Sequence, residues 1–342
     1  MMETPMRTDA AARAAEVEGL VIRPYAGEDD LPEIVRIRNA DWHADGVRGH
    51  WSVAEATAML GHPSAQFDPA RDVWIGELDG APVAVTWTEW VDTTDGRREY
   101  MSRGYVDPPY RRRGIGGALL ELNIARLRAL AATHDTDRPK ILGMSSNHAS
   151  VAAPILARRH GYAPVRWFFD MERPLDGDLP EIPPLPEGLE IRPVGAEDGP
   201  QIWRADHDAF QDHWGGSDDS EASFRRWVES PEFAPDLMVV AFDGDEIAGA
   251  VLNAIYPEEN AALGIQRGWL DSVFTRRPWR RRGLAGSLIV RSLHLLRDRG
   301  MKIAALGVDA ENPSGALGLY ESVGFAEVQR TLVWHRPLEE GS

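Results

Sequence analysis

The chain contains no cysteine in 342 residues. That absence excludes disulfides, thiolate metal sites and a cysteine nucleophile. It also lacks any apolar run of the roughly 20 residues needed to span a bilayer. Residues 1–19 hold no apolar core of signal-peptide length and read as a flexible tail. The expectation is a cytoplasmic protein with no membrane partner. Basic residues are few: 37 Lys and Arg stand against 54 Asp and Glu, a net charge of −17. Nucleic-acid binding needs the opposite balance, so none is expected. An acidic surface instead favours the approach of a cationic small molecule such as an amine. The ten histidines show no metal-ligand spacing, so no metal is expected. No Gly-x-x-x-x-Gly-Lys-Ser/Thr loop occurs, which excludes a P-loop nucleotide hydrolase.

What the chain does have is a repeat. Tyr110-Arg111-Arg112-Arg113-Gly114-Ile115-Gly116-Gly117 recurs 169 residues later as Trp279-Arg280-Arg281-Arg282-Gly283-Leu284-Ala285-Gly286. Leu119, Leu120, Ile124 and Leu127 behind the first copy become Leu288, Ile289, Leu293 and Leu296 behind the second. That spacing makes one buried helix face. Each copy thus lies between a strand-like run and a helix, and such a junction suits an anion. Small residues let the backbone approach a ligand. First-turn N–H groups lack internal partners and point outward, and arginine adds forked donors. Leu20 to Pro24 and Leu189 to Pro193 open the two copies, again 169 residues apart. Asp79-Gly80 and Asp243-Gly244, each between apolar runs, signal a hairpin in each copy. Pro180, Pro183, Pro184 and Pro186 make residues 176–188 a stiff extended linker. The expected domains are 20–175 and 189–338, a duplication rather than a solenoid.

On these residues the chain resembles the GCN5-related N-acetyltransferase (GNAT) superfamily. The family signature, Arg/Gln-x-x-Gly-x-Gly/Ala, is matched by Arg111-x-x-Gly114-x-Gly116 and Arg280-x-x-Gly283-x-Ala285. The second copy also carries the family's late element, Asn312 through Phe325. The resemblance implies an α/β fold: two tandem domains, each a mixed, mostly antiparallel twisted sheet flanked by helices. It implies acetyl-CoA as the cofactor. The amides of Arg111 to Gly117 and of Arg280 to Ser287 would hold it, with Asn312 nearby. It also implies that the strand before each loop splays and pairs with the pantetheine arm. Those residues are Gly104, Tyr105 and Val106, and Val273, Phe274 and Thr275.

The same resemblance distributes the chemistry unequally. Tyr320 stands where the family places a tyrosine near the thioester sulfur. A phenol with an ordinary pKa of about 10 is a suitable acid for a departing thiolate. Aligning Gly161 with Gly324 puts Ala157 opposite Tyr320, so the first copy lacks the hydroxyl. Asp271, two residues before Val273, is the candidate general base, and strand alternation puts both side chains on one face. Its counterpart is Ser102. Asp212, His213 and Trp214 fall in the loop that lines the family's acceptor pocket, where an indole and a carboxylate could hold a cation. The reading is an acetyl-CoA-dependent N-acetyltransferase, catalytic in its second half. It would act on a small-molecule amine by direct attack in a ternary complex. Two alternatives stand beside it. One is a non-catalytic acyl-CoA-binding sensor or scaffold. The other follows a tandem member of similar layout, and is acetylation of the amine of a thiol precursor.

Overall fold

The computed structural model describes residues 17–211, 213–216, 218–312 and 315–338. In the first half the chain forms β1 (Leu20–Pro24), α1 (Leu31–Ala44), α2 (Val53–Leu60), a one-turn α3 (Pro69–Asp72), β2 (Val73–Leu78), β3 (Ala81–Asp92), β4 (Arg98–Val106), α4 (Ile115–Thr133), β5 (Lys140–Asn147), α5 (Ala152–Arg159) and β6 (Ala163–Pro174). The second half follows with β7 (Glu190–Arg192), α6 (Gly199–Phe210), α7 (Glu221–Val228), β8 (Val239–Asp243), β9 (Glu246–Ile255), α8 (Pro257–Leu263), β10 (Arg267–Thr275), α9 (Leu284–Asp298), β11 (Ile303–Asp309), α10 (Ala316–Ser322) and β12 (Ala326–Pro337). No described helix is long and apolar enough to cross a membrane.

The hairpins form where Asp-Gly punctuates the apolar runs. Asp79 and Gly80 both take positive φ, 51° and 77°, the geometry of a two-residue type I′ turn between β2 and β3. In the second half Asp243 already pairs with Glu246, so the loop is Gly244-Asp245, with Gly244 at φ 59°. The helix stripes are buried as their spacing requires. Leu288, Ile289, Leu293 and Leu296 of α9 are each fully covered. Burying such a side chain contributes about 1.5–3 kcal/mol.

The chain divides into two compact units. One holds the residues up to Arg166, Gly215–Asp218 and those from Thr331; the other holds Trp167–Trp214 and Asp219–Arg330. The last strand of each half therefore ends in the other unit. In the first unit the sheet runs β1-β2-β3-β4-β5 and is completed by Thr331–Pro337 of β12, antiparallel to β5. In the second it runs β7-β8-β9-β10-β11 and is completed by Phe168–Pro174 of β6, antiparallel to β11. The parallel pairs are β4 with β5 and β10 with β11. Helices flank both sheets, as the fold class implied. In the second unit α9 and α10 cover one face and α6 the other. In the first, α4 covers one face and α1 with α2 the other.

The proline-rich segment adopts neither helix nor strand. Proline has no N–H to offer but keeps its carbonyl, so the segment is held by accepting. His294 Nε2 lies 3.0 Å from Pro180 O, Ser287 Oγ donates to Pro183 O at 2.8 Å, and Arg282 Nη2 donates to Glu187 O at 3.0 Å. Leu179 and Leu185 pack into the core beside α9.

Candidate active site

The site of the second unit begins with strand geometry. β10 pairs with β11 only from Arg267–Ile303 to Trp269–Ala305. On its other edge β10 stays paired with β9 as far as Thr275–Gly249. The strands therefore part after Trp269, and Val273, Phe274 and Thr275 lie on the open side of the V. β4 and β5 part in the same way after Ser102–Met144, which leaves Gly104, Tyr105 and Val106 beyond the last rung. A cavity of about 120 Å³ lies there, lined by Gly104, Val106, Gly116, Asn123, Met144 and Leu156 among others.

One feature separates the two strands. β10 carries a bulge: Leu270 pairs with Asn253 and Ser272 with Leu252, so Asp271 is the inserted residue. β4 keeps a continuous register with β3 from Val106 to Arg98. A bulge leaves one residue outside the ladder and is over-represented beside active sites. It also cancels the alternation argument that put Asp271 and Val273 on one face. Leu270 and Val273 both pack toward α9. Between them Ser272 bonds the half-buried Asp206 of α6, and exposed Asp271 accepts from Tyr256 Oη at 2.6 Å. Burial raises the Asp206 carboxyl above the usual range, with the Ser272 bond and His207 opposing it.

At the wide end of each V the chain turns into a helix through a left-handed glycine. Gly283 (φ 83°) precedes α9 and Gly114 (φ 89°) precedes α4. Neither N-terminus is capped by a side chain. The preceding Arg281 and Arg112 also take positive φ, 60° and 66°. Buried Leu284 and Ile115 anchor each first turn, leaving its amides outward. Gly286 and Gly116 keep the turn slim: an added Cβ would lie 3.8 Å from Leu319 and 3.9 Å from Leu156.

The arginines divide their labour. Arg280 turns inward, its Nε donating to Thr275 O at 2.9 Å and its Nη2 to Ala209 O at 2.8 Å. Arg111 does the same in the first unit, bonding Asp41 at 2.6 Å and Asp45 at 2.8 Å. The first arginine of each triplet thus braces strand end to helix end, and Arg281, Arg282, Arg112 and Arg113 are the exposed members. Ser287 is fully buried against the proline segment.

Tyr320 lies on the α9 face, 6% exposed, its ring edge-on to Phe325 with centroids 6.2 Å apart. Burial pushes its phenol up to about 12. Ala157 takes the corresponding place in the first unit and is fully buried. Asn312 closes the turn after β11 through its N–H to Asp309 O at 3.1 Å. Asp212 lies outside the described residues. His213 follows α6, its ring 4.3 Å from that of Phe210, and Trp214 faces Phe168 at 6.1 Å.

The face opposite α9 carries groups that sequence reasoning missed. Arg267, 2% exposed, is bonded by Glu172 at 2.9 Å and Glu259 at 3.0 Å. Trp269 Nε1 donates to Glu259 at 3.0 Å, and Gln329 donates to Asp170 at 2.9 Å. Asp170 and Glu172 precede the proline segment and so read as part of the first half. Only the strand exchange brings them here.

A V between parallel strands that leads to an uncapped, glycine-led helix can hold a phosphate-bearing arm in extended form. Acetyl-CoA has that shape and charge. Fold and site together define a CoA-dependent acyltransferase. Residues 200–325 match the Acetyltransferase (GNAT) family and residues 69–164 an Acetyltransferase (GNAT) domain. The chain is 30% identical over 314 residues to a mycothiol acetyltransferase of Geodermatophilus obscurus, covering 89% of this chain and 93% of that protein. A GCN5-related N-acetyltransferase structure from Sphaerobacter thermophilus superposes with a TM-score of 0.68 at 26% identity, over 95% of this chain and 98% of that one. A tandem GNAT protein from the clavulanic acid biosynthesis pathway shares the fold, with a TM-score of 0.66 at 18% identity over 94% of this chain and all of that one. The chain belongs to the GNAT acetyltransferase family and is an N-acetyltransferase that uses acetyl-CoA.

Proposed function

We propose that the second unit alone performs acetyl transfer, onto a small amine that attacks directly in a ternary complex. The observation that carries this is the bulge at Asp271, placed at the mouth of the V in the second unit and missing from the first. Acetyl-CoA supplies the activated acetyl group. The outward amides from Arg281 to Gly286 and the exposed Arg281 and Arg282 would hold its phosphates, and the open edge of Val273 to Thr275 its arm. An N–H freed by the bulge would polarise the thioester carbonyl. Tyr320, on the α9 face, would protonate the leaving sulfur. Asp271, on the other face, would accept the amine's proton, so acid and base serve the reaction from opposite sides. Alignment of the partners supplies much of the remaining rate. The first unit, with Ala157 and Ser102, would hold CoA without chemistry. A cytoplasmic location goes with this reading.

The relatives named mycothiol acetyltransferase make the amine that becomes mycothiol on acetylation the first acceptor to test. The experiment is release of CoA thiol by the full chain, with that amine and with a panel of primary amines. Amine-dependent release that disappears in Gly283→Val is the expected result. Release that ignores every amine, or that survives Gly283→Val, would overturn the assignment to the second unit.

A further inference from the structure

The strand that the first half lends to the second unit carries an unexplained carboxylate. Phe169 and Met171 point into the α9 core, so Phe168, Asp170 and Glu172 occupy the other face. On β11, Leu306 and Val308 enter the same core, so Ala305, Gly307 and Asp309 share the face of Asp170. Asp170 pairs directly with Gly307 and Glu172 with Ala305. Glu172 is neutralised by Arg267. Asp170 forms no ion pair among the described residues. Gln329 holds its Oδ2, and its Oδ1 accepts from no described group.

Gly307 makes that free oxygen useful. It is exposed between two buried neighbours in the interior of a strand, a position where glycine weakens the strand and marks a close approach. A Cβ there would lie 4.0 Å from Asp170 Oδ1. The pair therefore makes a hollow with a bare backbone floor and one carboxylate oxygen in its wall. The ladder between β10 and β11 ends at Trp269–Ala305, two residues before Gly307, so the hollow opens beside the V. Asp170 is half-buried: burial raises its carboxyl above the usual range, the Gln329 bond and the charge of Arg267 oppose that, and Glu172 and Glu259 add to it. Arg267 is itself paired directly to Glu172 and Glu259, two carboxylates for one guanidinium, so Asp170 gains from a cation of its own.

We propose that Asp170 is the specificity residue for the acceptor: its Oδ1 receives the acceptor's ammonium group in the hollow over Gly307. This rests on the reading of the second unit as the acetyl-transfer unit. It makes the first half's closing strand part of the second unit's acceptor site. In the first unit the corresponding pair, five residues after Lys140 as Gly307 is after Lys302, is Ser145 with buried Val333, which cannot hold a cation.

The test uses the full chain saturated with CoA and a panel of primary amines, each paired with its neutral hydroxyl analogue. Calorimetry measures amine affinity, and thiol release measures kcat and KM. Asp170→Asn keeps shape and can keep the Gln329 bond, so the fold should stand; Gly307→Val fills the hollow. For the best-bound amine, Asp170→Asn should weaken affinity by about 10–100-fold, as loss of one partly buried ionic contact does. CoA affinity should hold, and the preference for amine over its neutral analogue should collapse. If amine affinity and that preference stay within about twofold, the proposal is wrong, and acetyl transfer by the second unit still stands provided turnover persists. If amines bind through Asp170 yet none is acetylated, Asp170 stands and the acetyl-transfer reading falls. If wild type binds no amine, the proposal is wrong.

Discussion

The two units keep the same backbone device and differ in what surrounds it. Both part a parallel strand pair, and both turn into a helix through an αL glycine behind an αL arginine. Both spend their first arginine on bracing that turn. Beyond this they diverge. The second unit has the bulge, Tyr320 and carboxylates on the open face. The first has an unbroken strand, Ala157, and an aromatic box on the α1 face. There Arg38 lies 3.7 Å from the Trp42 ring and 4.4 Å from Trp51, with Arg103 paired to Glu89 nearby. The comparison teaches that the geometry of this turn is a backbone property: glycine and one bracing arginine preserve it in both units whatever the other side chains become. Chemistry and charge of the facing surface are side-chain properties, and they separate the halves.

The largest break in that comparison is chemical. Tyr320→Phe keeps the ring and its Phe325 contact, so the fold should survive. Its kcat should fall by about 10²–10⁴-fold, the usual contribution of a general acid, while CoA affinity measured by calorimetry holds. Burial pushes the phenol up to about 12. A folded-state pKa above the unfolded value of about 10 means stability that is complete below that pH and is lost as pH rises toward 12. The stability gap between wild type and Tyr320→Phe should therefore stay constant up to about pH 10 and shift against wild type above it. A fully active Tyr320→Phe enzyme would reduce Tyr320 to a packing residue.

The bracing arginines offer a smaller contrast, read in stability. Arg280 donates to the neutral carbonyls of Thr275 and Ala209, and losing those two bonds in Arg280→Met should cost about 1–2 kcal/mol in denaturant melts. Arg111 serves two carboxylates that are partly buried, at 19% and 17% side-chain exposure. Arg111→Met leaves them uncompensated and should cost somewhat more, about 2–3 kcal/mol after allowance for their solvent contact. Burial already raises the Asp41 carboxyl, with Arg111 opposing it. Without Arg111 it rises further, so the Arg111→Met deficit should shrink as pH falls and Asp41 protonates. A pH-independent Arg111→Met deficit would show that Arg111 acts by packing alone.

Much of this architecture was legible because it rests on local chemistry. Asp79-Gly80 specifies a turn by its own φ preferences, the stripe from Leu288 to Leu296 states which helix face is buried, and Gly114 and Gly283 mark chain reversals that a Cβ would strain. Three features were not legible, each for a physical reason. A bulge adds one residue to a strand, and Leu270-Asp271-Ser272-Val273 shows no break in pattern that betrays it. Strand exchange depends on which sheet edge a segment meets, and nothing within Phe168–Pro174 names its partner. A guanidinium fork fits carbonyls and carboxylates as well as phosphate, so Arg111 and Arg280 read as ligand donors while the fold uses them as braces. Asp170 went unnoticed through the second of these.

The smallest expected effect sharpens the charge contrast. The second unit carries Asp170, Glu172, Glu259, Asp206 and Asp271 on or beside β6, α6, α8 and β10, and of these Glu172 and Glu259 pair with the buried Arg267. The corresponding region of the first unit holds Arg38 and Arg103 against Glu89. On the proposed reading an amine approaching the second unit would be drawn by that surplus over distances that salt screens within about 10 Å at 0.1 M. Its KM should therefore rise roughly two- to fivefold between about 0.05 and about 0.5 M salt, while kcat, set inside the V, stays level. Asp170→Asn removes one of these charges but leaves the others, so the variant should retain a shallower salt dependence rather than none. A KM indifferent to salt would mean that the acidity of this face plays no part in recruiting the acceptor. The contrast between the two units would then rest on Tyr320, Asp271 and the bulge alone.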